Sequence, residues 1–210
     1  MKIVNIDKET TMDYHITIRM EAGGSMPGYR HCITQSAADR QRQFERALLA
    51  LMGCRNYGQI SVQDICDRVG LSRKSFYRYF SSKEMCLTAL VDHTILDFRR
   101  SPLPDLGLTE ALTHYFRYWL DRRPLLDALV QENLVNVLIQ RSIASVQEEG
   151  DFYKKVSGRD TNMSQEEAIF LISGLIGVLL YWHQEGCRTP PAQLAASVRT
   201  FLLGVVRGDN

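Results

Sequence analysis

The sequence lacks the features that mark disulfide-stabilised, metal-binding or membrane-spanning chains. Its five cysteines are odd in number and scattered, with no CxxC or Cys/His cluster, so neither a disulfide framework nor a zinc site is predicted. We expect them to be small buried residues in a reducing cytoplasm. The longest apolar run, residues 169–182, spans 14 positions including two glycines and a serine. It is too short to cross a bilayer and predicts a helix buried on most sides.

The chain also lacks the common catalytic motifs. It has no Gly-rich phosphate loop, no HExxH and no GxSxG, which are the patterns that place phosphate-binding, zinc-binding or nucleophilic groups. The histidines are dispersed along the chain, at His15, His31, His93, His114 and His183. We therefore predict no catalytic residue, no metal and no cofactor, and because no charged start leads into an apolar run, no secretion signal.

An overall charge bias is missing too, since 25 Lys and Arg face 24 Asp and Glu. The distribution along the chain is uneven. Basic against acidic residues number 3 against 4 in residues 1–25, 12 against 7 in 26–101, and 10 against 13 beyond. Where charge lies matters more for binding than its sum, so a polyanionic partner is expected only for the middle stretch.

Residues 1–35 differ from the rest of the chain. Glycines and a proline between residues 23 and 28 predict a flexible break, and the alternating apolar residues of 14–20 would suit a weak hairpin. Because Met26 follows that break, residues 1–25 can alternatively be an extension from an upstream start codon. We expect residues 1–35 to be a flexible or non-native extension without function.

From residue 37 onward the apolar residues recur with helical spacing, which predicts an all-α fold. A first helix is expected over about 36–54, with Asn56 as a left-handed residue at its end. A second begins at Ser61, where Asp64 completes a capping-box-like pattern. Gly70 then suits a left-handed helix stop, and Ser72 suits the cap of a third helix over 73–80.

The third helix predicts a nucleic-acid contact surface. Phe76 and Phe80 share one face and anchor it, which leaves basic and polar side chains outward, namely Arg73, Lys74, Ser75, Tyr77 and Arg78. In a helix-turn-helix the start of the second helix meets base edges in the major groove. A further capping box is expected over residues 81–84, which would place Lys83 at a helix start that favours phosphate.

Residues 61–85 read SVQDICDRVGLSRKSFYRYFSSKEM and resemble the N-terminal DNA-binding segment of the TetR family of bacterial regulators. The chain departs from the common pattern with Lys74 where many members have Gly and Tyr79 where many have His. The resemblance implies that Ser61 and Tyr79 touch phosphates, that Tyr77 and Lys83 hold the DNA backbone, and that bases face Arg73, Lys74 and Ser75. Ser72 completes the expected contact set.

The same resemblance implies a helix-turn-helix domain at 36–82 and a helical ligand-binding and dimerisation domain at 83–210. In the second domain Gly174 and Gly177 would let another helix approach closely, and the last helix, from about residue 192, is amphipathic through Leu194, Val198, Phe201, Leu202 and Val205. Two such helices from each subunit would form a four-helix dimer interface. An ordinary intramolecular core is the alternative.

Helices are expected at about 108–121, 123–131 and 134–149, and the first of them carries an aromatic group. Tyr115, Phe116 and Trp119 would line a small-molecule pocket, with Tyr181 or His183 opposite. A plain core with polar edges fits these residues almost as well.

These expectations together describe a sequence-specific transcriptional regulator in the cytoplasm. It would bind an inverted-repeat DNA operator as a homodimer, act as a repressor, and leave the operator when a small-molecule inducer binds. A non-enzymatic helical interaction module, or a sequence-tolerant DNA binder with the same fold, is the alternative.

Overall fold

A computed structural model of the chain describes residues 34–101, 107–146 and 164–207. In these ranges every regular element is helical, as the sequence predicts. The α-helices are α1 (Gln35–Met52), α2 (Val62–Val69), α3 (Arg73–Phe76), α4 (Lys83–Arg100), α5 (Leu108–Leu120), α6 (Arg123–Gln131), α7 (Val135–Val146), α8 (Gln165–Gln184) and α9 (Pro191–Arg207), and a 3-10 turn (Tyr57–Gln59) precedes α2. The hairpin and the residue 23–28 break expected in the N-terminal extension lie outside the described residues.

Helix α1 begins and ends differently from the expectation. Thr34 caps it, with its hydroxyl oxygen accepting a hydrogen bond from the Ala37 amide at 3.3 Å. At the other end Gly53 keeps a right-handed conformation, φ −71°, and the next two amides bond the Leu51 carbonyl at 3.0 Å. Asn56, with φ −59° and ψ 138°, is therefore not a left-handed stop. The tight turn at Leu51 satisfies the end of the helix without one.

An aromatic cluster holds α1 against the helix-turn-helix. Phe44 of α1, Phe76 of α3 and Phe80 are each at most 1% exposed. The Phe44 ring lies 5.3 Å from that of Phe76 and 6.3 Å from that of Phe80, both edge-to-face. Each buried ring contributes about 1.5–3 kcal/mol, and each pair adds roughly 0.5–1.5 kcal/mol. The predicted anchoring by Phe76 and Phe80 is confirmed, with Phe44 as their shared partner.

Helix α4 packs against α1 and α7, and it carries polar pairs to both. The carboxylate of Glu45, 1% exposed, meets His93 Nδ1 with both oxygens at 2.9 Å. Arg42 donates two hydrogen bonds to Asp97, at 3.0 and 3.1 Å. Another bidentate pair joins Asp92 of α4 to an arginine of α7, Arg141. Helix α4 thus lies between α1, which carries the helix-turn-helix contacts, and α7.

The later helices match the expected bounds closely. Helix α5 packs against α6 and α9, while α7 packs against α4 and α8. Positions 147–149, expected at the end of α7, lie outside the described residues. The proposed division at residue 82 stays a prediction, although α4 does begin at Lys83.

Helix α8 is buried on one side only, contrary to the expectation of cover on most sides. One face contributes Leu171, Leu175 and Leu179 to the core, whereas Phe170 is 73% and Tyr181 65% exposed. Its 20 residues and its mean hydropathy of 1.3 over an 18-residue stretch would also suit a membrane span. One such helix is weak evidence for a membrane protein. The buried face packed on α7 is that of a core helix.

Alanine at position 70 tests the helix stop. Gly70 has φ +73° and open space where a side chain would begin, so only the backbone conformation opposes a Cβ there. Gly70→Ala should lower the free energy of unfolding by about 1 kcal/mol, measured by urea denaturation. Gly53→Ala is the matched control, because its conformation is right-handed and the nearest atom would lie at 3.6 Å. Equal losses in the two variants would contradict this account.

Candidate nucleic-acid interface

The start of α2 is fixed by a reciprocal cap. The Ser61 hydroxyl oxygen accepts from the Asp64 amide at 3.1 Å, and Asp64 Oδ2 accepts from the Ser61 amide at 2.7 Å. This confirms the predicted capping box. The hydrogen bond from the Ser61 hydroxyl lowers the pKa of the Asp64 carboxyl, and Arg55 adds an ion pair at 3.1 Å. Ser61 itself remains exposed, so its backbone and hydroxyl lie at the surface.

The turn between α2 and α3 forms as predicted, but α3 is short. Gly70 is left-handed and the Leu71 amide bonds the Cys66 carbonyl at 3.0 Å. Ser72 caps α3 by accepting from the Ser75 amide at 3.2 Å. The α-helix spans only Arg73–Phe76, rather than the expected 73–80. Residues 77–79 continue as turns, because the Tyr79 amide bonds the Phe76 carbonyl at 2.9 Å with three-residue spacing.

Most of the predicted contact residues lie together at the surface. Ser72, Arg73 and Lys74 are exposed, and Tyr77 is 48% exposed, whereas Ser75 and Tyr79 are half-buried. The Tyr79 ring packs 6.1 Å from that of Phe44. Only the part of the Tyr79 side chain that faces away from Phe44 is therefore open to a bound partner. Arg78, expected outward but not among the predicted contacts, is exposed too.

Arg73 is oriented by Tyr77. Its guanidinium donates to the Tyr77 hydroxyl at 3.4 Å and lies 5.8 Å from the ring centroid. The hydrogen bond to Tyr77 raises the pKa of the Arg73 guanidinium. A charged group that is partly ordered before binding loses less conformational freedom on meeting a base or phosphate.

Lys83 is engaged by its own chain. Its ammonium donates to the carbonyls of Tyr57 and Ile60 at 2.7 and 2.8 Å and lies 4.0 Å from the Tyr57 ring centroid. Burial raises the pKa of the Tyr57 hydroxyl. Lys83 therefore fastens the turn before α2 to the start of α4, a role its sequence position did not suggest.

The capping box expected over residues 81–84 does not form. The cap is Ser82, whose hydroxyl oxygen accepts from the Met85 amide at 3.3 Å. The prediction placed the cap one residue too early, at the first of two adjacent serines. With Ser82 as the cap, Lys83 is the first residue of α4, and its side chain reaches back over the 3-10 turn.

The five residues expected to line a ligand pocket do not come together around one. Tyr115, Phe116 and Trp119 are at most 3% exposed and belong to the core. Tyr181 faces outward, and His183 pairs with Asp127 at 2.7 Å. The edge-to-face packing of Tyr115 on Phe98 and of Phe116 on Trp182 favours the core alternative for α5.

Sequence reasoning missed Arg55 beside this surface. It lies in the loop after α1 and pairs with Asp64 at the first turn of α2. No helical periodicity covers that loop, so only its positive charge beside the capping box could have indicated it.

Comparison with known proteins identifies the segment. Residues 46–90 match the family "Bacterial regulatory proteins, tetR family". The chain is 35% identical over 69 residues to the HTH-type transcriptional regulator EthR of Mycolicibacterium smegmatis, covering 33% of this chain and 32% of that protein. EthR of Mycobacterium tuberculosis is 32% identical over 80 residues, covering 38% and 37%. The matches thus span about one third of the length of the curated relatives.

Solved structures extend the likeness to the whole fold. A TetR transcriptional regulator from Streptococcus agalactiae covers 80% of this chain and 96% of its own with TM-score 0.60 at 18% identity. The fatty acid degradation regulator FadR from Bacillus halodurans has the same coverage, TM-score 0.59 and 19% identity. At such identities the likeness shows the fold alone. The helix-turn-helix segment of this chain therefore matches the tetR family of bacterial regulatory proteins, and the helices around it adopt the fold of solved TetR regulators.

Proposed function

We propose that the protein is a cytoplasmic, sequence-specific DNA-binding transcription regulator that acts as a homodimer on an inverted repeat. The observation that carries the proposal is the surface at the start of α3, where Arg73 and Lys74 are exposed on a backbone fixed by Phe76 and Phe80. Guanidinium and ammonium groups bond guanine O6 and N7 in the major groove. The tetR-family match over residues 46–90 supports the same docking.

The other surface groups would position the duplex. Ser61, Ser72 and Tyr77 are exposed hydroxyl donors around α3, and hydroxyls commonly contact phosphate oxygens rather than bases. Ser75 and the edge of Tyr79 would complete the surface. Because the Lys83 ammonium is already bonded to two carbonyls, we assign it to holding the turn before α2, rather than to a phosphate.

Dimerisation would use the exposed faces of α8 and α9. Phe170, Gly174, Gly177 and Tyr181 follow each other at helical spacing on α8 and are all exposed, and Phe201 of α9 is 63% exposed. A Cβ at either glycine would meet nothing within 4 Å. Large exposed apolar residues around such open positions favour a close helix contact with a second subunit, and two subunits suit the two half-sites of an inverted repeat.

Repression with release by a small molecule is the mode of action we propose. A dimer on a promoter blocks polymerase sterically, and a ligand that favours another spacing of the two reading surfaces would release it.

A non-enzymatic role is part of this proposal: each described histidine bonds a group of its own fold, namely Glu45, Ser101 or Asp127.

Sequence-tolerant DNA binding with the same fold is the competing function. It would use the same positive groups without base discrimination. Selection of bound sequences from a random duplex library at near-physiological salt separates the two. Enrichment of an inverted repeat supports the proposal, and no enrichment from a folded dimer supports the competitor.

Alanine variants at the reading surface test the assigned roles. Arg73→Ala should weaken binding to the selected duplex by about 1–3 kcal/mol and relax the choice of one base pair. Lys74→Ala should likewise weaken binding and relax the choice of a base pair, because its ammonium is assigned to a base edge. Affinity is measured by fluorescence anisotropy over a salt series.

Lys83→Ala should behave differently. It should lower the free energy of unfolding by about 1–3 kcal/mol, because two carbonyls lose their charged donor, while the salt slope of the folded protein stays at the wild-type value. A stable Lys83→Ala protein whose DNA affinity depends less on salt than that of the wild type would instead indicate that Lys83 contacts phosphate.

Gly177→Arg tests the dimer face. Because open space surrounds position 177 in the single chain, the subunit should fold, and its helix should gain up to about 1 kcal/mol of stability from the loss of glycine. Light scattering should show a monomer, with weaker binding to the inverted repeat. Gln131→Arg adds the same charge at the exposed end of α6 and should remain dimeric. A dimeric Gly177→Arg protein would disprove this interface.

A further inference from the structure

We propose that a crevice between α1, α4 and the start of α6 binds a small amphipathic anion, meaning an apolar body that carries a carboxylate, sulfonate or similar group. As a regulatory site it rests on the DNA-binding function proposed above. The crevice has a volume of about 570 Å³, within the range of ordinary ligand pockets. None of the five residues expected to bind a ligand lines it.

Part of the crevice lining is apolar. Leu49 of α1, Leu90 of α4, and Pro124 and Leu125 of α6 line it, and Leu90 and Leu125 are at most 7% exposed. The Thr94 hydroxyl, which also lines the crevice, is already bonded to the Leu90 carbonyl at 2.8 Å. An apolar ligand body would therefore pack on these apolar side chains, and polar recognition is left to the charged residues of the lining.

Two of the guanidiniums that line the crevice, those of Arg46 and Arg122, lie outside its ion pairs. Three guanidiniums and three carboxylates line the crevice, belonging to Arg42, Arg46, Arg122, Glu45, Asp97 and Asp121. Asp97 is neutralised by the bidentate pair with Arg42, and Glu45 is bonded to His93. Arg46 and Arg122 then face a single further carboxylate, that of Asp121. In the part of the chain that the structure describes, Arg46 forms no ion pair, so its charge is available to a ligand.

The fixed position of Arg122 supports anion binding. Its guanidinium lies 3.4 Å from the Tyr118 ring centroid and donates to the Tyr118 carbonyl at 3.2 Å. Arg122 also precedes α6, whose first turn holds no acidic residue and whose start has no side-chain cap. The positive end of that helix dipole adds to the field of the arginines.

The location would couple the ligand to DNA binding. Arg46 and Leu49 belong to the helix that carries Phe44, the ring on which α3 is anchored, whereas Arg122 and Leu125 belong to the body of the protein. α1 and α6 touch beside the crevice. A ligand that binds one relative position of α1 and α6 more tightly than another shifts the equilibrium between these positions by the difference in binding free energy. The position of the α3 surface shifts with it.

The anionic dye 8-anilinonaphthalene-1-sulfonate and its uncharged relative N-phenyl-1-naphthylamine test the site on the full chain. We expect Arg46→Glu to raise the Kd of the anionic dye by roughly fivefold to tenfold and to leave the uncharged dye unchanged. Arg40→Glu, an exposed reversal on the same helix outside the crevice, should change neither. Asp121→Asn should tighten the anionic dye and leave the uncharged dye unchanged, whereas apolar surface exposed by misfolding would raise the binding of both dyes.

Equal dye affinities in the wild type and all three variants would overturn the site. Regulation is measured separately, with the duplex enriched in the library selection. The anionic dye should change the duplex Kd of the wild type, and the same change in Arg46→Glu should need roughly fivefold to tenfold more dye. Dye binding at the crevice with no change in duplex Kd overturns the regulatory part. If no duplex is enriched, the DNA-binding proposal fails while the dye measurements still decide the site.

Discussion

The buried carboxylate of Glu45 imposes the constraint on which the arrangement of helices depends. A charged group that is 1% exposed is costly unless it is paired, and His93 of α4 supplies the partner at 2.9 Å. Sliding α1 along α4 by one turn would leave both groups without it. This pair, together with the Arg42–Asp97 pair, sets the register of α1 on α4, and with it the position of everything that α1 carries.

Local chemistry made much of the fold and of the reading surface predictable. The Ser61–Asp64 cap, the left-handed Gly70 and the Phe76–Phe80 anchor each depend on residues fewer than five positions apart. Such short-range effects can be predicted from a single sequence. The same holds for α5 and α6, whose bounds were predicted within a residue.

The short α3, the cap at Ser82 and the conformation of Asn56 are local errors, and the others concern contacts between distant segments. Lys83 is 26 positions from Tyr57, whose carbonyl it bonds, and no pattern in the sequence marks that bond. The aromatic group of α5 fits a core and a pocket equally well until its neighbours are known. The crevice, similarly, is lined by three helices whose residues lie up to about eighty positions apart, and its guanidiniums outside ion pairs are known only once the pairs are assigned.

The brevity of α3 has an evolutionary consequence. A helix of four residues is not stable by itself, because one hydrogen-bonded turn does not offset the conformational entropy lost on nucleation. Its orientation is therefore set by the ring of Phe44 beneath it. Under the proposed function, substitutions around that ring would rotate the exposed side chains of α3 against the DNA grooves while every one of them is retained. Descendants of this protein would then acquire new operators through changes in α1, and an operator predicted only from the side chains at positions 73–78 would miss that route of divergence.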